Sequence, residues 1–456
     1  MAVILEEIAS LLGAPIPFLL IFAGIFFSFK LKFFWVRHPI KTFSPMLRRS
    51  EKEGVSPFRA LTLALAGTLG VGNIAGVAGA IALGGFGAIF WMWVSALCAM
   101  VLKYAEITLA VFHRREDRGS FFGGAPYYIR DHFGKLGLGK IGAFVASVFA
   151  VVCIFEVLST GCGIQINAAA SALESTVHIP AWTVGAVAAG ITLYSVFGGA
   201  NGVSHITVKL IPALSLGYIA ISLAVIFAKF GELPRVFGLI FSNAFGFDSA
   251  AGGVVGFLSS RAIKYGAMRG LLSNEAGCGT SPLAHASAQT NEPAEQGFFG
   301  IFEVFFDTIV ICTMTATVII LSYDKISGIA QNPIELALLA YSHVLGEWAQ
   351  YFLGFSVAAF GIATVLCCAY YGNECIRFLF GKKSKLFSAA YILVYIFAVF
   401  FGSFVRSELL WNASDITLSL MTIINVICLC LMSREVKILT DKYFKKEKTI
   451  DINRQR

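Results

Sequence analysis

The stretch GTLGVGNIAGVAGA, Gly67 to Ala80, lies between two almost purely apolar runs and carries five glycines, Thr68 and Asn73. Glycine disfavours a helix by about 1 kcal/mol per residue, and polar side chains at membrane depth are costly. Two readings fit. The segment is a close-packing face, with Gly72 and Gly76 four apart, or a helix broken where protein or a polar cavity satisfies the freed backbone groups. It is not a dinucleotide fingerprint: the glycine after Gly70 and Gly72 comes one residue late, and no strand precedes it.

The surrounding composition makes lipid the solvent. The 456 residues are 57% hydrophobic and 14% charged, with mean hydropathy +0.77, whereas soluble domains carry about 25% charged residues. The apolar runs are continuous and lack the alternation of barrel strands, which points to helices. Eleven segments read as spans: 14–34, 58–84, 86–112, 141–170, 182–199, 209–228, 251–285, 297–322, 348–376, 386–405 and 411–432. The expected fold is an all-α integral membrane protein.

Charge placement orients it. With the N-terminus outside, 28 of the 35 Lys and Arg residues fall in cytoplasmic segments, Lys103 among them. The outer segments hold only Lys229, Arg235, Lys325 and Arg406, and Arg261, Lys264 and Arg269 lie within the seventh span. The positive-inside bias therefore gives N-out, C-in. The net charge of +8 faces anionic lipid and gives no sign of nucleic acid. Glu6 and Glu7 stand where a signal peptide has its basic region, so the first run reads as a retained helix. All ten cysteines lie in or at the ends of apolar runs and read as reduced, buried small hydrophobes.

A second interruption, SNEAGCGTSPLAHA, Ser273 to Ala286, sits in the seventh span. Five spans run from each break, 58–228 and 251–432, so the second set enters from the opposite side. Paired glycine-interrupted spans in two inverted halves point to a secondary-transporter site. Residues 1–57 then form an extra N-terminal helix with a basic loop, 58–432 the core, and 433–456 a basic cytoplasmic tail.

At these residues the chain resembles the alanine/glycine:cation symporter family over nearly its whole length. The likeness rests on GVGNIAGVAGAI, on GGFGAIFWMWVSAL running into KYAEITLA, and on GGAPYYI, RGLLSNEAGCGTSPLAHA, EVFFDTIVICTMTA and YYGNEC. It implies a five-plus-five inverted repeat of the leucine-transporter type with one extra N-terminal helix. It further implies sodium-coupled import of a small neutral amino acid, chiefly alanine or glycine, across a bacterial-type plasma membrane. No obligatory protein partner is evident.

The resemblance also implies roles. The region from Thr68, with the amides near Val71 and Gly72, receives the substrate carboxylate. Carbonyls of Ala66 and Leu69 with the Thr364 hydroxyl form a sodium cage. Asn73 offers an amide oxygen to the cation or the substrate, Asn274 and the carbonyls around Gly277 meet the ammonium, and Gln165 reaches the substrate. Hard oxygen donors suit a hard monovalent cation. The family's ninth span usually reads Ser-Thr and then Gly-Trp, but this chain has Ala363-Thr364 and Cys367-Cys368, and Val71 replaces a common threonine. One cage hydroxyl and a pocket tryptophan are missing, so Cys368 is expected to leave a wider pocket.

Intramembrane charges need partners. Glu303 and Asp307, four apart, share a helix face, with Arg261, Lys264 and Arg269 as candidate partners. An ion pair and a proton relay both fit. Lys103 and Glu106 read as residues near a helix end, and Glu156 and Glu275 as candidate proton carriers. The alternatives are a proton-coupled permease of the same fold with a wider neutral range, and a channel. An enzyme is not expected: the seven histidines form no zinc pair, and no Walker sequence marks direct use of ATP.

Overall fold

A computed structural model describes residues 2–47, 56–117, 119–196, 199–245 and 261–454. They are helical apart from one hairpin, in which Arg115–Asp117 pairs antiparallel with Ser120–Phe122. Among the described residues, seven helices are long and apolar enough to cross a membrane, or up to nine if each of two bent pairs is one span. The first bent pair is Pro57–Thr68 with Val71–Gly84, turned by 57° at the glycine-rich stretch. The second, Pro212–Ala228 with Phe230–Ala244, turns by 75°.

Two of the eleven expected segments differ from simple spans. The fifth is a short apolar helix, Ala181–Ser195. The seventh is described only from residue 261, as Arg261–Asn274 and Ser281–His285. Its basic residues keep its hydropathy low, and most of Arg261–Asn274 is buried, so protein rather than lipid is its solvent. An unanticipated short helix, Pro333–Leu345, starts on Asn332, whose side chain accepts from the Glu335 amide at 2.9 Å.

The helices sort into inner and outer positions. Gly87–Phe112 has 83% of its apolar window buried, against 22% for the lipid-facing Ser384–Gly402. Small residues let the inner backbones nearly touch. A methyl group added at Gly24, Gly266 or Gly300 would strike helix Gly87–Phe112 at Cys98, Ala88 or Ile107. Likewise, one at Gly361 would sit 2.8 Å from the Gln165 carbonyl, and one at Gly161 2.6 Å from Cys368 Cβ. Two spans contain π-helical turns, Val157–Ile164 and Phe305–Cys312; such turns recur at functional sites because they displace side chains from the regular helical face.

Candidate functional site

The first helix stops at Thr68, where Leu69 and Gly70 leave helical geometry before a short turn, Val71–Asn73. The whole break is buried. Its freed amides are met by side chains, as a non-aqueous surrounding demands. Asn73 Oδ1 accepts from the Gly70 amide at 3.1 Å, and Gln165 Oε1 from the Val71 amide at 2.9 Å. Only glycine fits at position 70: a Cβ there would lie 2.6 Å from Thr364 Oγ1 and 2.7 Å from Gln165 Oε1.

The Thr364 hydroxyl donates to the Ala66 carbonyl at 2.8 Å and lies 3.1 Å from the Phe360 carbonyl. The structure thus brings Ala66, Thr364 and the turn after Leu69 together. Hydroxyl lone pairs and a carbonyl at the frayed end of a helix make a hard, all-oxygen donor set suited to sodium.

The second break is joined to the first. Asn73 Nδ2 reaches Ser273 Oγ at 3.0 Å and Asp307 Oδ1 at 2.6 Å. Ser273 and Thr308 both donate to Asp307 Oδ2 at 2.8 Å. Asn274 Nδ2 donates to Thr308 Oγ1 at 3.1 Å, and its Oδ1 accepts from the Ala276 amide at 3.0 Å. One buried polar network therefore spans both breaks. Beyond Asn274, Glu275, Gly277 and Gly279 take positive φ values, which turns the chain sharply before Ser281–His285.

Other residues are placed elsewhere. The Gly277 carbonyl accepts from Asn425 Nδ2 at 2.9 Å, and a Cβ at Gly277 would meet Leu20 and Val426. Cys368 is buried against Gly161. The small cavity beside the first break, about 10 Å³, is lined instead by Leu69, Gly70, Asn73, Tyr218, Ile311 and Phe360 among others. That volume suits a water molecule and not an amino acid. A cavity of about 380 Å³ lies on the side of Glu6, Lys264 and Asp415.

The expected charge partners need correction. Arg269 forms a two-pronged bond to Asp415, at 2.9 and 3.2 Å, with its guanidinium over Trp411, and Lys264 reaches Ser10 at 3.0 Å. Glu303 is paired instead with Lys103 at 3.3 Å and His285 at 3.2 Å, all fully buried. Asp307 is held by neutral donors. Lys103 is thus no helix-end residue, and sequence reasoning missed its role. Asn425 was missed too, although an amide deep in the apolar run 411–432 is a signal in its own right. Glu275 accepts from Thr280 at 2.6 Å. Neither oxygen of Glu156 has a hydrogen-bond partner among the described residues, and the nearby Thr160 hydroxyl donates to Ser414 instead.

Comparison with known proteins gives a consistent result. The model of the sodium:alanine symporter family matches residues 1–455. A probable sodium/glutamine symporter of Bacillus subtilis is 36% identical over 438 residues, covering 94% of this chain and 88% of its own. A sodium/alanine symporter of Methanococcus maripaludis is 35% identical over 422 residues, covering 91% of each. Among solved structures, a manganese transporter of Eremococcus coleocola superposes with TM-score 0.54 at 13% identity, over 86% of this chain and 87% of that one. At that identity the likeness concerns the fold alone.

Proposed function

We propose, from the premise that the chain belongs to the sodium:alanine symporter family, that it imports alanine, glycine or a slightly larger neutral amino acid together with sodium by alternating access. The observation that carries this reading is the single buried network joining both helix breaks through Asn73, Ser273 and Asp307. A carrier that couples two cargoes needs their sites to share structure, because coupling is a free energy between sites.

In this reading sodium binds the carbonyls of Ala66 and Leu69 and the Thr364 hydroxyl. The substrate carboxylate meets the Val71 and Gly72 amides at the start of the second half-helix, where the backbone dipole favours an anion. It displaces Gln165 Oε1 in doing so. Because the Asn274 and Gly277 carbonyls are engaged by Lys103 and Asn425, the substrate ammonium is assigned to Asp307, with Thr68 and Asn73 beside it. The sixfold motif likeness supports an inverted repeat of 58–228 and 251–432, and the positive-inside charge bias supports N-out and C-in, with 433–456 in the cytoplasm. Cys368 acts on substrate size through its contact with Gly161.

The relative named for glutamine supports a second reading, a pocket that accepts longer neutral side chains. Uptake into proteoliposomes, with sodium and proton gradients imposed separately and all neutral amino acids as competitors, tests both. A sodium gradient should drive alanine accumulation, and Thr364→Val should lower sodium affinity at least tenfold. Uptake driven by protons alone would replace sodium in this scheme, and competition confined to alanine and glycine would remove the wider pocket.

A further inference from the structure

The ammonium of Lys103 lies at the frayed end of the helix Arg261–Asn274. It donates to the Asn274 backbone carbonyl at 2.7 Å and to Ser281 Oγ, and pairs with Glu303 Oε1 at 3.3 Å. Glu303 in turn accepts from Thr68 Oγ1 at 3.3 Å, on the last turn of the other broken span. Lys103, Ser281, His285 and Glu303 are fully buried.

This set shares with the sodium cage proposed at the first break a carbonyl released by an interrupted helix and a hydroxyl, and adds the Glu303 carboxylate. Carbonyls at such helix ends carry the negative pole of the backbone dipole and attract cations. Here a cation of the chain's own fills the position. Its stem is accommodated by Gly300, where a methyl group would come 2.9 Å from Lys103 Cγ. Removing the lysine would leave the buried Glu303 carboxylate with only His285, Ser281 and Thr68 as partners and without a permanent cation, a costly state unless another cation enters.

We propose that Lys103 is a tethered cation of the transport site, occupying at the second break the place a mobile ion would otherwise take, so that one sodium per cycle binds, at the first break. The proposal rests on the sodium-symport reading for its transport consequence and stands apart from it in its binding consequence. Deleting the tether should create a second site for small cations.

The test compares thermal unfolding of purified wild type and Lys103→Ala in choline, sodium and methylammonium chloride, without amino acid. Lys103→Ala should unfold several degrees below wild type in choline and regain most of that loss in sodium or methylammonium, through binding to the folded state. Lys103→Ala/Glu303→Gln should lack the extra response. In proteoliposomes, alanine uptake by Lys103→Ala should change from first to second order in sodium. The proposal is overturned if sodium stabilises Lys103→Ala no more than wild type, if the double variant keeps the extra response, or if Lys103→Ala cannot be recovered in any of these salts. Wild-type uptake indifferent to sodium defeats the symport reading instead, and leaves the unfolding comparison readable.

Discussion

Gln165 Oε1 accepts a hydrogen bond from the Val71 backbone amide at 2.9 Å, so a donor offered by the broken helix is already capped by a residue 94 positions away. In the proposed transport scheme, a side chain in that position imitates the carboxylate oxygen of a cargo. It keeps a buried N–H satisfied between transport events.

Removing the cap should therefore have opposite effects on the empty and loaded protein. Gln165→Met leaves the Val71 amide without a partner, which costs about 1–3 kcal/mol. The variant should melt lower than wild type alone, yet gain more on adding alanine. Gln165→Glu places a fixed carboxylate there and should lower uptake more than tenfold. An alanine-induced melting shift in Gln165→Met equal to that of wild type would sink this account.

Glu156 gives a prediction of the reverse sign. A buried carboxylate without hydrogen-bond partners is a liability. Glu156→Leu should raise thermal stability in detergent, by about 1–3 kcal/mol on the scale of a relieved desolvation penalty. Reduced stability would mean that the carboxyl group has a partner in the folded protein that this geometry lacks.

How much of this could be read in the chain depends on where each partner comes from. The first break was legible because glycines and an amide stand out against lipid, and the second because Asn274, Glu275, two glycines and Pro282 interrupt Ser273–Ala286. Partnerships across the fold were not. Lys103 and Asn274 are 171 residues apart, and Thr68 and Glu303 are 235 apart. Nothing local distinguishes a lysine bound for a helix end from one bound for the core. The seventh span was legible as a break but not as a buried helix, since Arg269 depends on Asp415 for its tolerance. Cys368 illustrates the converse: its departure from the family pattern was plain, yet its neighbour Gly161 became visible only in three dimensions.

A cluster beyond the end of helix Gly87–Phe112 sets a pH dependence. His113 lies 3.2 Å from Asp131 and 3.0 Å from Glu435, while Arg115 reaches both Asp131 oxygens at 2.8 and 2.6 Å. Burial alone would lower the His113 pKa, but the bonds to Asp131 and Glu435 outweigh it and raise it above the ordinary value. Burial alone would raise Asp131, yet His113 and Arg115 hold it below the usual carboxylate range. A raised histidine contributes stability that is fully present below its unfolded pKa, about 6.5, and is lost as pH rises through the higher folded value. The melting difference between wild type and His113→Gln should therefore be largest in mildly acidic buffer and shrink in alkaline buffer. The opposite trend would exclude the charged pair.

Orientation can be read directly. Cysteines introduced as Ser175→Cys and Ser327→Cys, at exposed positions, should react with an impermeant thiol reagent in intact cells, and Lys383→Cys should not. None of the ten native thiols is exposed, which keeps the background low. Labelling at position 383 from outside would reverse the topology.

The glycine contacts divide the molecule into two bodies. Through Gly24, Gly266 and Gly300, the helices Ile16–Lys30, Arg261–Asn274 and Pro293–Val304 interlock with Gly87–Phe112; through Gly161 and Gly361, Val157–Val177 interlocks with Trp348–Phe380. Contacts this close resist sliding, so in the proposed alternating-access cycle each of these groups would move as a unit. Gly70 abuts Thr364 and Gln165 of the second body, while two residues on Gly72 abuts Ser273 of the first. A rotation of one body against the other would run its axis through the stretch from Gly70 to Gly72, so that the proposed cargo site would also be the pivot that registers which way the protein faces.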